Sequence, residues 1–178
     1  QMSGSVQSGI DFGFAFEGED WQWGEYDIHK IATSGAFSED LWQLEPSVIR
    51  ASLASQVETQ LQFSGRIGGR EQSAEFQLTG LPVSLVSEFA RFPPTVQLGG
   101  SLDASATLAG SFENPRARGE LRWVEGRINQ QAVRSAQAGF GYDDARLNLG
   151  GSIQLEEESE NRSGNPIAIR ASLPLELP

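Results

Sequence analysis

Apolar and polar residues alternate along most of the chain. Between Val96 and Leu108 the apolar side chains fall mainly on even positions, and polar or small residues lie between them. An alternation with period two is typical of a β-strand that has one apolar face and one hydrated face. The same pattern recurs over 57–67, 117–123 and 167–177. The sequence therefore predicts an all-β protein built as a long antiparallel meander.

Turn signals separate these runs. Gly68-Gly69 follows the run that ends at Ile67, and glycine supplies the positive backbone angle of a tight hairpin. Asn114-Pro115 marks a second turn, because proline keeps the preceding residue out of the helical region. Asp143-Asp144 predicts a third turn. We expect each pair of flanking strands to be antiparallel neighbours.

The first fifty residues give a less regular pattern. Phe12, Phe14 and Phe16 alternate with small and acidic residues and predict an aromatic strand. The acidic, glycine-containing stretch 17–20 is predicted to turn this strand toward a second hairpin, whose return arm passes Tyr26, Ile28 and Ile31. Shorter strands are expected over 33–38 and 41–44, and Pro46 is expected to end the latter.

One segment departs from the strand period. Leu85, Val86, Phe89 and Phe92 recur at helical spacing, Pro82 stands where a first helical turn accepts proline, and Pro93-Pro94 cannot continue a helix. A short amphipathic helix near residues 82–92 is predicted. Its apolar side would cover an end or an edge of the sheet, where backbone groups would otherwise be unpaired.

The order of small and apolar residues from 100 to 149 resembles the repeat of the translocation and assembly module protein B (TamB) and AsmA-like family, including its DUF490 region. The resemblance covers two strands, the Asn-Pro turn between them and a later hairpin. The residues that carry it are Gly100, Ser101, Leu102, Ala104, Ala106, Leu108, Gly110, Ser111, Asn114, Pro115, Gly119, Leu121, Gly126, Ile128, Tyr142, Asp144, Arg146, Leu147 and Leu149.

This resemblance implies a fold, a location and partners. Family members form long β-grooves that span a bacterial envelope, and plastid relatives bridge the envelope there. They are anchored by an inner-membrane helix, reach an outer-membrane partner of the Omp85 class (TamA/BamA-like), and are implicated in phospholipid transport and outer-membrane protein assembly. By this resemblance, residues 1–178 would be a single β-groove segment of a longer TamB-like protein in the periplasm or cell envelope, or in the plastid envelope of a eukaryote. The membrane anchor would lie outside the segment.

Composition restricts the function further. The formal net charge is -11, which argues against a nucleic-acid partner, because phosphates require a basic surface. There are no cysteines, so disulfides and thiolate chemistry are absent. No stretch approaches the roughly 18 apolar residues of a membrane helix, and residues 1–5 do not resemble a signal peptide. We expect the chain as given to be soluble.

Candidate chemistry is sparse. His29 is the one histidine, and a single strand histidine is more often a surface side chain than a base or a metal ligand. The acidic stretch 156–166 matches no calcium loop and reads as a solvated hairpin tip. No phosphate-binding glycine loop follows a strand. We therefore expect no enzyme activity and no cofactor.

The apolar stripe is instead the candidate for function. If one sheet curls without a second layer, it forms an open U-shaped (taco-like) groove, and an empty apolar groove is costly in water. Such a groove would need acyl chains, detergent or a segment of a partner to fill it, and the family resemblance implies phospholipid acyl chains. Alternatives are a scaffold whose open edges accept a client strand, and a closed β-sandwich without a groove. The residues predicted to line the groove are Phe12, Phe14, Phe16, Leu61, Phe63, Leu98, Leu102, Leu108, Leu121 and Trp123.

Overall fold

A computed structural model describes residues 11–23, 26–53, 58–85, 93, 95–156 and 166–175. Ten β-strands make up almost all of this part of the chain. Their bounds are β1 Phe12–Trp23, β2 Tyr26–Ser38, β3 Leu41–Leu53, β4 Glu58–Gly68, β5 Gln72–Pro82, β6 Leu98–Gly110, β7 Pro115–Ile128, β8 Gln131–Asp143, β9 Arg146–Leu155 and β10 Ile167–Pro174.

All ten strands form one antiparallel sheet in which spatial order equals chain order. Each strand pairs with the one before it and the one after it, so β1 and β10 are the two edges of the described sheet. This confirms the predicted all-β meander and its open, curled form. A concavity of about 950 Å³ is bordered by residues of six consecutive strands, β3 to β8, as expected for a sheet that curves across its strands.

The predicted helix is described only at its start. Residues 83–85 take helical geometry directly after Pro82, the last residue of β5. Val83 is 5% exposed, so this turn packs against the end of the sheet. The remainder of the predicted helix, including Phe89 and Phe92, lies outside the described residues.

Two predictions for the first strands are wrong. The stretch 17–20 is not a turn, because β1 continues through it to Trp23 and pairs with β2 along its length. Within this stretch Asp20 has a φ of 55°, in the left-handed region, which Asp tolerates better than most residues. Pro46 does not end the third strand either. It lies in a β-bulge within β3. The extra residue of a bulge is unpaired, so a proline there, which has no N–H, removes no hydrogen bond from the ladder.

Bulges recur in the sheet. Register shifts occur within β2 beside His29, within β3 near Pro46, within β5 at Gly80, within β7 at Glu125 and within β8 beside Arg134. A bulge adds one residue to one strand and increases the local right-handed twist. The stretch Glu125-Gly126 is one of these bulges. β7 continues beyond it to Ile128.

The tight turns use residues that accept a left-handed backbone. Asp144 and Ala145 join β8 to β9 with φ of 50° and 54°, which is the geometry of a two-residue hairpin whose twist matches the strands. The turn predicted at Asp143-Asp144 is thus displaced by one residue. Gly68 and Gly69 join β4 to β5 as predicted, both with positive φ.

Burial is shallow throughout. Among the described residues no side chain falls below 2% exposure. The best-buried apolar residues are few and mostly small: Ala74, Val83, Val133, Ala136 and Tyr142. A two-layer protein buries large side chains between its layers, whereas a one-layer sheet covers an apolar side chain only with its lateral neighbours.

Candidate groove face

The apolar residues of all ten strands share one face of the sheet. Directly paired residues in antiparallel strands point to the same face, so a chain of pairs can be followed across the sheet. One such chain, the first row, crosses every strand without interruption. Its members are Phe14, Gly35, Leu44, Gly65, Ala74, Leu108, Ala117, Tyr142, Leu147 and Leu173.

A second uninterrupted chain of pairs lies on the same face. This second row consists of Gly18, Ile31, Ile49, Leu61, Leu78, Ala104, Leu121, Ala138, Gly151 and Ile169. Between the two lies a middle row. Its one missing backbone pair is between Thr33 and Ser47, at the bulge in β3, where the Ser47 hydroxyl instead donates a hydrogen bond to Thr33 Oγ1 at 2.9 Å. The middle row consists of Phe16, Thr33, Ser47, Phe63, Phe76, Ala106, Gly119, Phe140, Leu149 and Ala171. None of the three rows contains a charged residue.

The structure places all ten sequence-predicted lining residues on this apolar face. Phe14 and Leu108 belong to the first row, Phe16 and Phe63 to the middle row, and Leu61 and Leu121 to the second row. The other four, Phe12, Leu98, Leu102 and Trp123, lie outside these three rows. Phe12 is paired with Phe37, Leu102 with Trp123, and Leu98 with Ile128.

Exposure differs along the face. Phe12 and Phe16, on the edge strand β1, are 45% and 41% exposed. The eight other predicted lining residues are half-buried. Seven of them lie on interior strands with a neighbour on each side, and Phe14 on the edge strand β1 is in contact with Trp42. Apolar surface thus remains accessible to solvent across the whole face, most of all at the edges.

The bulges keep the face apolar. A one-residue shift in pairing would send all later apolar residues of a strand to the other face. Leu78 and Leu81 are three residues apart, yet both stay on the apolar face because the Gly80 bulge absorbs the extra residue. The Asp103 carboxylate accepts the Gly80 N–H at 2.9 Å, which satisfies the donor that the bulge removes from the ladder.

A cluster of aromatic rings covers the β1–β3 end of the face. Trp42 contacts Phe12, Phe14 and Phe37, with ring centroids 5.9, 5.7 and 4.9 Å apart. Phe16 meets Trp21 edge-on at 5.3 Å. Trp21, Phe37 and Trp42 were not predicted as lining residues. Trp21 stands in the alternating pair Trp21-Gln-Trp23, which could have indicated it, whereas Phe37 and Trp42 are isolated aromatic residues in the sequence.

Trp123 is anchored by its polar end. Its indole Nε1–H donates to the Gly99 carbonyl oxygen at 2.8 Å, across the β6–β7 pair. The ring therefore lies along the apolar face while its one donor is satisfied, which is the usual arrangement for a half-buried tryptophan.

The opposite face is polar. One uninterrupted chain of pairs there, the polar row, carries acidic residues, amides and glycines and ends in an arginine: Glu17, Ala32, Val48, Gln62, Gln77, Ser105, Glu120, Gly139, Gly150 and Arg170. Lys30 forms an ion pair with Glu17 at 3.7 Å. Such exposed pairs add little stability, but the charges keep this face hydrated.

His29 makes a structural contact in the described part of the chain. His29 lies in the β2 bulge, and its Nε2 is 2.8 Å from the Ser52 hydroxyl. This contact holds the bulge to β3. Among those residues no three His, Asp or Glu side chains come together as metal ligands. Most of the acidic stretch 156–166 lies outside them.

The described residues thus belong to an all-β protein with one open, one-layer antiparallel sheet, apolar on one side and polar on the other.

Over 129 residues the chain is 23% identical to the chloroplastic protein TIC236 of Arabidopsis thaliana. The aligned part is 65% of this chain and 6% of that much longer protein.

Two other comparisons gave no match. No family model matches the chain, and no solved structure matches it. In the part of the chain that the structure describes, no helix is both long and apolar enough to cross a membrane.

Proposed function

We propose that this chain is a β-groove segment of an envelope-spanning bridge protein, in which the apolar face conducts phospholipids between inner and outer membranes and supports outer-membrane biogenesis. The observation that carries the proposal is the set of apolar rows that cross ten strands without a charge and without a second layer in the described structure. In this proposal the polar face keeps the bridge hydrated, and the membrane anchor belongs to another part of the full-length protein.

An energetic argument favours an apolar occupant. Exposed apolar surface costs about 2.5 kcal/mol for each 100 Å² that could otherwise be buried. A monomeric protein rarely leaves a large contiguous apolar surface without a binding role. Filling the groove with hydrocarbon would remove this cost along its whole length.

The shape of the face suits acyl chains. In the middle row Ala106 and Gly119 follow Phe63 and Phe76 and precede Phe140. A surface of aromatic and small apolar groups suits a flexible hydrocarbon chain, which needs no hydrogen bonds. The rows also lack the converging polar groups that orient a compact, specific ligand.

The comparison is compatible with this role at a coarse level. The similar protein is chloroplastic, and the resemblance of residues 100–149 is to a family whose plastid relatives bridge the envelope. An envelope location for this chain follows as part of the proposal, in the bacterial periplasm or the plastid envelope.

Photocrosslinking tests the proposal. A photoreactive residue at Phe63 or Leu121, in the full chain mixed with phospholipid vesicles, should capture phospholipid. The matched controls are Gln62 and Glu120, each the chain neighbour of a test residue but on the polar face. Equal capture at test and control positions, or capture at neither, would contradict lipid conduction.

The two open edges favour a second candidate function. β1 and β10 each have one side without a strand partner in the described sheet, and an open edge can accept a client strand by β-augmentation. In that case the chain would act as a scaffold or chaperone for outer-membrane proteins together with an Omp85-class partner. Crosslinks from edge positions to an outer-membrane protein strand, without lipid capture at Phe63, would favour this function.

A further inference from the structure

Two concavities adjoin on the polar face, in the second half of the sheet. One, of about 440 Å³, is bordered by strands β5 to β9, and the other, of about 520 Å³, by β8 to β10. Gly139 and Gly150 border both, so the two concavities form one continuous depression. Most of the bordering residues belong to the polar face, among them Glu120 and Arg170 of the polar row. The depression is thus separate from the apolar rows.

Glycines form the floor of this depression and continue beside it. Gly139 is directly paired with Gly150, and Gly141 is two residues away on the same face. The backbone of all three lies outside the left-handed region. A Cβ added to Gly141 or Gly150 would meet no described atom within 4 Å, and at Gly139 the nearest would be the Gly119 carbonyl oxygen at 3.8 Å. Neither backbone conformation nor space therefore requires glycine at these positions.

Several other strand glycines have a local cause. Gly65 and Gly100 have positive φ, and a Cβ at Gly119 would collide with the Phe140 ring. A glycine inside a strand weakens the sheet, and it often marks a bulge, a bend or a place where a ligand approaches the backbone closely. The three glycines of the depression lie outside the bulges of β8 and its neighbours. Close approach of a ligand is the remaining explanation.

The charge of the strands changes sign along the sheet. β1 to β6 contain eight acidic and three cationic residues, whereas β7 to β10 contain seven arginines and three acidic residues. The ion pair between Lys30 and Glu17 lies in the acidic part. Arg122 is opposite Asp103, whose carboxylate accepts the Gly80 N–H. The depression therefore lies in the basic part of a chain whose net charge is -11.

Three arginines stand around the glycine floor. Arg118 and Arg122 flank Glu120 on β7 and are about 13 Å apart along the strand. Arg170 lies in the same row as Glu120 but on β10, about 14 Å across the sheet. The exposed amides on β8 and β9 are those of Gln137 and Asn148. Both floor strands are interior, so this arrangement is the same whether or not the sheet continues beyond β10.

These side chains suit a ligand that carries both negative charge and hydroxyl groups. Arginine stays protonated and binds a carboxylate through two parallel N–H donors. The amides of Gln137 and Asn148 donate and accept hydrogen bonds, and the Glu120 carboxylate accepts them from hydroxyls. A sugar chain with carboxylate groups offers both kinds of partner.

Other anionic partners fit less well. A membrane surface or a nucleic acid is extended and would also meet the acidic strands β1 to β6, which would repel it. An acidic peptide offers few hydroxyls and would place carboxylates against Glu120. A short oligosaccharide stays within the basic part, because charges more than about 8 Å away are largely screened at physiological salt.

We infer that the depression on the polar face binds an acidic oligosaccharide. Its carboxylates pair with Arg118, Arg122 and Arg170, and its hydroxyls bond to Glu120 and the neighbouring amides. The glycine floor lets the sugar rings lie close to the backbone. This inference goes beyond the proposed lipid function and does not rest on it, because the two ligands occupy opposite faces of the sheet.

Calorimetric titration of the full chain with oligogalacturonate tests the inference. We expect binding that weakens as salt is raised. Arg118→Gln and Arg122→Gln should each lower the affinity by about tenfold, the factor that about 1.4 kcal/mol gives for a lost charge-assisted hydrogen bond. Arg66→Gln is the matched control, since it removes the same charge from the polar face of β4, outside the depression. Absence of binding, or an equal loss in all three variants, would overturn the inference.

Filling the depression gives a second readout. Gly150→Thr places a side chain over the floor, where the structure leaves room for a Cβ, and threonine is favoured in strands. Affinity for oligogalacturonate should fall at least tenfold while the urea midpoint of unfolding stays the same or rises. Unchanged affinity would show that the sugar does not approach the glycine floor.

Competing ligands identify the class of partner. Neutral dextran, polyglutamate and vesicles of phosphatidylglycerol should each bind at least tenfold more weakly than oligogalacturonate. Equal binding of dextran would remove the role of the arginines, and equal binding of polyglutamate or vesicles would indicate an acidic peptide or a membrane surface instead. Lipid capture at Phe63 should persist in all of these variants, so failure of the sugar site is distinguishable from failure of lipid conduction.

Discussion

Trp123 lies against Gly126 on the apolar face of β7. A Cβ atom added to Gly126 would lie 2.9 Å from Cδ2 and Cε2 of the indole, and 3.0 Å from Cβ of Val133. The glycine of the β7 bulge therefore leaves space for the Trp123 indole. In that position the indole Nε1–H donates a hydrogen bond to the Gly99 carbonyl oxygen.

Gly126→Val is therefore expected to displace the indole and lose this hydrogen bond. Overpacking of this kind costs about 1–3 kcal/mol of the free energy of unfolding, measurable by urea denaturation. Gly141→Ala is the control, since a Cβ there meets no atom within 4 Å and its φ is not in the left-handed region. Equal destabilisation by both substitutions would refute the role assigned to Gly126.

Gly119 provides a similar space in the middle row. A Cβ at this position would collide with the Phe140 ring and with the Ser105 carbonyl oxygen. Gly119→Ala should therefore destabilise the sheet by about 1–3 kcal/mol and shift the methyl and aromatic NMR signals around Phe140. Gly139→Ala, on the polar face of the adjoining strand, has its nearest contact at 3.8 Å and should change neither property.

Asp103 stabilises the bulge in β5 through one hydrogen bond to a backbone N–H. Asp103→Ala would leave the Gly80 donor without this acceptor, and hydrogen bonds to charged groups are worth about 1.5–3 kcal/mol. Asp103→Asn retains an oxygen acceptor and should lose less. Hydrogen exchange at the Gly80 amide measures the effect locally. Equal exchange in the Ala variant and the unaltered chain would show that the carboxylate does not hold the bulge.

The faces of the strands could be predicted from sequence because the side-chain period of a strand is two. Phe63, Leu108 and Leu121 are on the predicted face for that reason. Bulges break the period locally and were not predicted. Glu125-Gly126 illustrates the reason, since glycine beside a charged residue is common both in turns and in bulges, and the sequence does not distinguish the two.

Contacts across the sheet were also beyond sequence reasoning. Trp42 contacts Phe12 although thirty residues separate them in the chain, because β2 brings β1 and β3 into one surface. The stretch 17–20 was misread as a turn because its composition is that of a loop. Pairing of Glu17 with Ala32 and of Gly18 with Ile31 overrides this local preference.

Phe63 and Gln62 provide the sharpest test of the two faces, since they are adjacent in β4 and point to opposite sides. Phe63→Glu places a charge in the middle row beside Phe76, where an acyl chain would have to pass. We expect phospholipid retained by the purified chain to fall severalfold, because a carboxylate is poorly solvated by hydrocarbon. Gln62→Glu adds the same charge to the polar row and should retain lipid like the unaltered chain. Circular dichroism should show that both variants keep their β-structure, since position 63 is only half-buried. An equal loss of lipid in both variants would mean that net charge, and not the apolar rows, controls binding.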